Sequence, residues 1–358
     1  MGKRILIINP FGIGDVLFST PLVSVLKKAD SKSYIAYICN IRTKEILETN
    51  TDIDEVFVFD RGEYRALWKR DKVGSLRKII DFWMKIKKRN IDIVVDLSLG
   101  KEYAFLSWLI GIKERIGFNY KGRGRFLTGK TPFFGFNDKP VAEYYLDLIC
   151  SRIDLSRFKG IKTTLITLKE DKEYIDSFLK TSGIGHEDVL IGIAPGGGVS
   201  FGKEKGGMRR WPADKFSLLA DKLIEKFNAK VVFIWGPGEE GLVEDIKNSM
   251  ERKTLIAPRT TVRQMAELCK RLKLFICSEG GPLHIASSQG IKTVSIFGPV
   301  DESVYGAYPS GLANISVTKE VDCRPCYKRF KVPECSHKRC LETLSVDDVF
   351  DKVLHMIE

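Results

Sequence analysis

No apolar run in this chain approaches the roughly 18 residues that crossing a bilayer requires. The N-terminal Met-Gly-Lys-Arg-Ile-Leu-Ile-Ile-Asn-Pro enters a strand pattern at once and lacks the apolar core and small-residue cleavage site of a secretion signal. A cytoplasmic protein is therefore expected. Eight cysteines among 358 residues argue against a disulfide framework in that compartment. Both glycine loops fall short of a complete nucleotide fingerprint. Leu17 stands where the third glycine of G-x-G-x-x-G would follow Gly12-Ile-Gly14, and no Gly-Lys-Ser/Thr closes the second loop, which excludes a Walker loop. Acidic residues are also in deficit: 58 Lys and Arg against 46 Asp and Glu give a formal charge of +12. Such an excess implies an anionic partner, whether nucleic acid, a membrane face or a phosphorylated small molecule.

What is present is the composition of a soluble globular protein, 44% hydrophobic and 29% charged, in a chain long enough for about two domains. Apolar runs at Arg4 to Asn9, Tyr34 to Cys39, Glu55 to Asp60, Ile91 to Leu97 and Arg115 to Phe118 read as strands. Helical spacing lies between them at Val16 to Lys28, Thr43 to Glu48, Ser75 to Lys88 and Glu102 to Ile110. A second alternating series starts beyond a junction near residue 165, with strands at Val189 to Ala194, Lys230 to Trp235, Leu255-Ile256, Leu272 to Cys277 and Thr293 to Phe297. Near-continuous apolar strands alternating with helices predict parallel sheets covered on both faces. The domains are expected at 1–165 and 166–358.

Each half opens with a strand and a glycine loop. The first loop ends at Asp15, which is either a helix cap or a group at the mouth of a ligand site. The second, Ala194-Pro-Gly-Gly-Gly198, places Gly196 and Gly197 beside Lys203, Lys205, Arg209 and Arg210, a set able to surround and neutralise phosphate. A third turn, Glu279-Gly-Gly-Pro-Leu-His284, follows an apolar strand. Pro282 suits a first helical turn, so the amides near Gly280 and Gly281 form a helix N-terminus that attracts phosphate, with His284 on its first turn. At Trp235-Gly-Pro-Gly-Glu-Glu240 the carboxylates suit ribose hydroxyls or a helix cap.

Together these landmarks resemble glycosyltransferase family 9, the ADP-heptose:lipopolysaccharide heptosyltransferases. The resemblance rests on Gly12-Ile-Gly-Asp-Val16, Arg209-Arg-Trp-Pro212, Trp235-Gly-Pro-Gly-Glu239 and Glu279-Gly-Gly-Pro-Leu-His284 followed by Phe297-Gly-Pro299, in the family's order. It implies an α/β protein of GT-B architecture: two Rossmann-like domains with parallel sheets facing a central cleft, and a C-terminal helix crossing back to the first domain. The N-terminal domain would bind an acceptor and the C-terminal one a nucleotide sugar. Carried over by position, Asp15 is the general base and Arg209 meets the donor diphosphate. Glu239 or Glu240 lies near the ribose, while Gly281 and His284 belong to the donor-phosphate turn. One departure is that Glu279, Gly280 and Gly281 stand where the family has Asp-Ser/Thr-Gly. The implied reaction is inverting, metal-independent transfer of a heptose or related sugar, from ADP-heptose by analogy, to a lipopolysaccharide-core or other glycan acceptor. Gly12, Gly14, Lys121 and Arg123 are candidates to meet that anionic acceptor.

Three features stand outside this scheme. Cys323, Cys326, Cys335 and Cys340 are spaced C-x2-C-x8-C-x4-C, a pattern suited to structural zinc or iron, with packed reduced thiols as the other reading. Cys39, Cys150, Cys269 and Cys277 read as small buried residues. The basic and aromatic segment from Arg61 to Asn90 reads either as a sheet-covering helix with a solvated edge or as a helix whose Ile79, Ile80, Phe82, Trp83 and Ile86 meet an anionic inner-membrane surface. Two other functions fit parts of the chain. A nucleotide-sugar epimerase shares the two-domain plan, and a basic nucleic-acid-binding protein would use the cysteine knuckle. The dispersal of the basic residues favours no nucleic-acid partner.

Overall fold

The computed structural model describes residues 2–198, 206–311, 313–332 and 334–357. Lys203 and Lys205 of the glycine-rich segment lie outside the described residues. The chain folds into two compact units, residues 1–136 with 141–162, and 137–140 with 163–358.

The first unit holds a six-stranded sheet of β1 (Arg4–Ile8), β2 (Tyr34–Cys39), β3 (Glu55–Val58), β4 (Ile93–Asp96), β5 (Glu114–Tyr120) and β6 (Gly129–Phe133), in the order β3-β2-β1-β4-β5-β6. The second repeats the plan with β7 (Leu190–Ala194), β8 (Lys230–Phe233), β9 (Leu255–Ile256), β10 (Leu274–Ser278), β11 (Thr293–Ile296) and β12 (Asn314–Val317), ordered β12-β11-β10-β7-β8-β9. Every pairing is parallel. Each sheet is therefore doubly wound, and the chain leaves its two central strands in opposite directions. That leaves a crevice at their carboxyl ends, between β1 and β4 in one unit and between β7 and β10 in the other.

The edge strands β6 and β12 are absent from the sequence reading because Gly-Lys-Thr-Pro-Phe and Asn-Ile-Ser-Val carry too little apolar pattern to stand out. The first helix begins at Ile13 instead of Val16, which puts Asp15 inside its first turn. Caps fall where the side chains supply them. Thr261 Oγ1 accepts from the Gln264 amide at 3.2 Å, and Ser345 Oγ from the Asp348 amide at 3.0 Å. The closing helix Val346–Ile357 belongs to the second unit. Its Val349, Phe350, Val353 and Met356 enter that unit's core.

The basic segment forms two helices, Arg61–Arg70 and Lys72–Lys87, each begun by an aspartate: Asp60 accepts from the Gly62 amide and Asp71 from the Gly74 amide, both at 2.8 Å. Of the two readings of this segment, the sheet-covering helix is the one that Phe82, Trp83 and Ile86 follow. All three are buried against the first sheet with Phe59 and Tyr103. Phe82 lies 5.0 Å from Phe59 and Trp83 6.4 Å from Tyr103, ring centre to ring centre. Cys39, Cys269 and Cys277 are buried as expected, whereas Cys150 is exposed. Phe82→Ala should cost about 3–5 kcal/mol of stability, whereas Ile80→Ala, on the exposed face of the same helix, should cost under about 0.5 kcal/mol. Urea unfolding of the two variants would check this, and equal losses would contradict the burial described.

Candidate active site

In the second unit three glycine turns meet at the carboxyl ends of neighbouring strands. Ser278, the last residue of β10, donates its hydroxyl to the Pro195 carbonyl at 2.9 Å and so ties the β10 turn to the loop after β7. Gly280 has φ +147°, a conformation open to glycine, and a side chain there would also crowd the Gly197 carbonyl at 3.3 Å. The helix Gly281–Ser288 starts at once, with Pro282 in its first turn. Its leading amides thus stand beside the Gly196-Gly197-Gly198 loop, an arrangement suited to an anion.

Glu239 holds these loops in register. It is 5% exposed, and its carboxylate accepts from the Gly198 amide at 2.9 Å and from the Gly236 amide at 3.0 Å, with Arg210 Nη2 at 3.3 Å. Gly196 is required because a Cβ there would coincide with that carboxylate. The sequence offers two carboxylates for a ribose, and the structure gives them different surroundings. Glu239 is engaged by backbone amides, while Glu240 is exposed and lines a cavity of about 480 Å³ with Trp235, Gly238, Ala257 and Arg259.

The adjacent arginines also part company. Arg209 is buried, and its Nε and Nη2 donate to the Glu279 carboxylate. Removing one member of such a buried pair costs about 3–5 kcal/mol because the other charge is left desolvated. Arg210 is half-buried, and its Nε is buried without a partner among the described residues. His284 is 5% exposed. Burial, reinforced by the Arg209 guanidinium, pushes its imidazole down to about 3, so it is neutral at pH 7.

In the first unit the loop after β1 is fixed by two asparagines. Asn9 Nδ2 donates to the Asp15 carbonyl at 3.0 Å and its Oδ1 accepts from the Phe11 amide at 3.2 Å, while Asn40 Nδ2 donates to the Pro10 carbonyl at 3.1 Å. Asp15 is half-buried, and its carboxylate accepts from the Gly12 amide at 3.3 Å. That bond both caps the helix and aims the carboxylate back over Gly12, while Gly14 lies in the helix's first turn. β4 ends beside β1 in Asp96, which is 3% exposed and whose carboxyl is raised by burial to about 6, against the lowering effect of hydrogen bonds from Ser98. Lys121 and Arg123 are exposed on the turn after β5, the next strand of the sheet, where both cations approach the Tyr120 ring. Sequence reasoning missed Asn9, Asn40 and Asp96, whose one signal is a polar residue at the carboxyl end of an apolar strand.

The four clustered cysteines do not assemble the expected zinc or iron site. Among the described residues no three His, Cys, Asp or Glu side chains are placed to share a metal ion. The four thiols remain neighbours, since the other three help to raise the Cys340 thiol and Cys323 and Cys335 help to raise that of Cys326. Cys340 is buried in the second core, and burial pushes it up to about 11. The Cys326 amide is bound to the Pro299 carbonyl at 3.0 Å, Cys335 Sγ accepts from the Lys338 amide at 3.4 Å, and Cys323 is exposed.

Two doubly wound units, the second with a glycine-lined helix N-terminus at its switch point, place the protein among the nucleotide-binding α/β folds of GT-B type. The chain belongs to glycosyltransferase family 9, since the family model described as Glycosyltransferase family 9 (heptosyltransferase) matches residues 79–337. It is 26% identical to the lipooligosaccharide heptosyltransferase 2 of Campylobacter jejuni over 46% of this chain and 50% of that protein, so the match spans about half the length of that relative. A glycosyl transferase family 9 structure from Veillonella parvula superimposes with a TM-score of 0.82 at 23% identity, covering 99% of this chain and 97% of that one. The structure of an ADP-heptose LPS heptosyltransferase II from E. coli gives 0.75 at 17% identity, covering 99% and 98%.

Two measurements test the site as described. Gly196→Ala should lower stability by about 1–3 kcal/mol, and adding Glu239→Ala should recover part of that loss because the clash partner is gone; additive losses would place the two apart. The second concerns pH. Unfolded His284 takes up a proton near pH 6.5 that the folded residue refuses until about pH 3, so this group makes stability rise with pH across that window. Asp96 has the opposite sign, because its folded carboxyl keeps a proton up to about pH 6 that the unfolded chain releases near 3.8. The two slopes oppose each other between about pH 4 and 6. His284→Asn should therefore shift the slope of unfolding free energy against pH downward by up to about 1.4 kcal/mol per unit relative to wild type, and parallel curves would mean that His284 titrates normally.

Proposed function

We propose that the protein is an inverting glycosyltransferase that moves heptose from ADP-heptose to a lipopolysaccharide-core sugar or related glycan. The observation that carries this reading is the union of three glycine turns at the β7–β10 switch point, beside a cavity that has Glu240 at its rim. In this reading the diphosphate lies on the amides of Gly196, Gly197, Gly280 and Gly281. Arg210 supplies a cation whose buried Nε–H has no partner among the described residues, and Arg209 acts through Glu279 to hold the turn. Neutral His284 contributes a hydrogen bond and no charge. The nucleoside enters the cavity near Trp235, with Glu240 accepting from the ribose hydroxyls and Glu239 keeping the loops in register.

Asp15 takes the proton from the acceptor hydroxyl, whose oxygen forms the new bond to the anomeric carbon as the bond to the diphosphate oxygen breaks on the opposite face. The charge that develops on the departing diphosphate is met by Arg210 and the helix N-terminus, donors already in place before the reaction. Gly12 and Gly14 let the acceptor approach Asp15, and Lys121 and Arg123 offset its negative charge. Donor identity, inversion and independence from metal belong to this proposal. It is supported by family membership and by the ADP-heptose in the description of the E. coli neighbour.

Asp15→Ala should reduce acceptor-dependent release of ADP by about 10²–10⁴-fold while leaving nucleotide affinity within a few-fold of wild type. A variant with normal turnover would remove Asp15 from the role of base. In a thermal-shift panel of ADP, UDP, GDP and dTDP, ADP alone should raise the melting temperature, and Glu240→Ala should weaken ADP about tenfold, roughly 1.4 kcal/mol. An equal response to all four nucleotides would refute the assigned base.

A further inference from the structure

The helix Lys72–Lys87 has two apolar faces. One is the buried face of Phe82, Trp83 and Ile86. The other is formed by Val73, Leu76, Ile80 and Met84, which recur at helical spacing and are 78%, 51%, 51% and 42% exposed. The neighbouring helices show the same habit. The first helix of the pair exposes Trp68. Glu102–Leu109, while burying Tyr103 and Ala104, exposes Phe105, Trp108 and Leu109. Tyr64, Phe82, Trp83 and Tyr103 share one apolar cluster, so these three helices form a single layer on one face of the first sheet. Eight of the thirteen exposed large apolar side chains among the described residues thus lie on that layer, between residues 61 and 109. Solvation alone does not account for such concentration.

Charge identifies what covers it. From Arg61 to Arg89 there are eleven Lys and Arg against three Asp and Glu, a net +8 of the chain's +12. Lys78 pairs with Glu63 and Arg89 with Glu55, inside the unit. Lys69, Arg70, Lys72, Arg77, Lys87 and Lys88 are exposed around the apolar stripe. A groove of about 720 Å³ between the first two helices adds Arg61, Arg65 and Trp68. Two copies of this face would repel each other, which disfavours a dimer through it. An apolar stripe with two exposed tryptophans and a rim of lysine and arginine matches the boundary between acyl chains and anionic headgroups.

We infer that this helical layer docks the protein on the surface of an anionic phospholipid bilayer, with Val73, Leu76, Ile80 and Met84 entering the acyl boundary and the surrounding cations meeting lipid phosphates. The surface would present the protein to a lipid-borne acceptor, but the inference does not depend on the proposed sugar transfer. No described helix is long and apolar enough to cross a membrane, so attachment of this kind is peripheral.

The full chain is tested by co-sedimentation with vesicles of phosphatidylcholine alone and of phosphatidylcholine with about one third phosphatidylglycerol. Wild type should bind the mixed vesicles, bind the neutral ones weakly, and be released as salt rises from about 0.1 to 0.5 M. The triple variant Leu76→Asp, Ile80→Asp, Met84→Asp should lose binding by about tenfold or more with its melting temperature nearly unchanged, since all three sites are exposed. Leu218→Asp, a 58% exposed site in the second unit, should bind as wild type does. Asp15→Ala should also bind normally, which separates a failure of docking from a failure of the proposed chemistry. Absence of wild-type binding to mixed vesicles, or full binding by the triple variant, overturns the inference. So does a wild-type dimer, seen by light scattering, that the triple variant converts to monomer while vesicle binding persists.

Discussion

One carboxylate organises the second unit's site. Glu239 has its oxygens on the amides of Gly198 and Gly236, residues from loops that leave adjacent strands, and so sets the distance between them. An amide accepted by a buried carboxylate is a stronger tie than one neutral hydrogen bond, because the charge has no water to turn to. The remaining contacts follow from that spacing. Gly196 has no room for a side chain, Arg210 reaches Glu239 across the gap, and Ser278 closes the third side by bonding Pro195. The backbone amides then face one volume and do not need to be gathered by a ligand, which is what makes such a site effective towards charge that appears during a reaction.

Much of this was legible in the chain itself. Strands such as Tyr34–Cys39 and Leu190–Ala194 stand out because they are buried on both faces and flanked by turn residues. The glycine turns are equally plain, since each follows an apolar run. Roles of adjacent residues were not legible. Arg209 and Arg210 are identical letters side by side, as are Glu239 and Glu240, and only the fold shows that Arg209 pairs with Glu279 and Arg210 with Glu239, and that Glu240 is the carboxylate lining a cavity. Spacing did bring the four clustered cysteines together, yet Cys340 is buried in the core by the helix that carries it, and among the described residues no three metal-binding side chains are placed to share an ion.

The helix Lys72–Lys87 shows how periodicity can be right and the facing wrong. Its apolar residues cover more than half of its circumference, so the pattern alone allows either side to be the inner one. Aromatic volume decides the matter: Phe82 and Trp83 fill space against Phe59 and Tyr103 that Leu76 and Met84 would leave open. The smaller aliphatic residues are then the ones turned outward, in a ring of positive charge.

Both sheets end in strands that give an approaching chain little to grip. β9 has two residues, β3 and β12 have four, and β6 carries Pro132, which has no amide hydrogen to offer. A protein with an outward apolar layer and two all-parallel sheets, slow to form because their contacts are distant in sequence, is open to ladder growth between molecules while it folds. Ragged borders of this kind restrict that route, so crowding of many copies at one place in a cell need not end in fibrils.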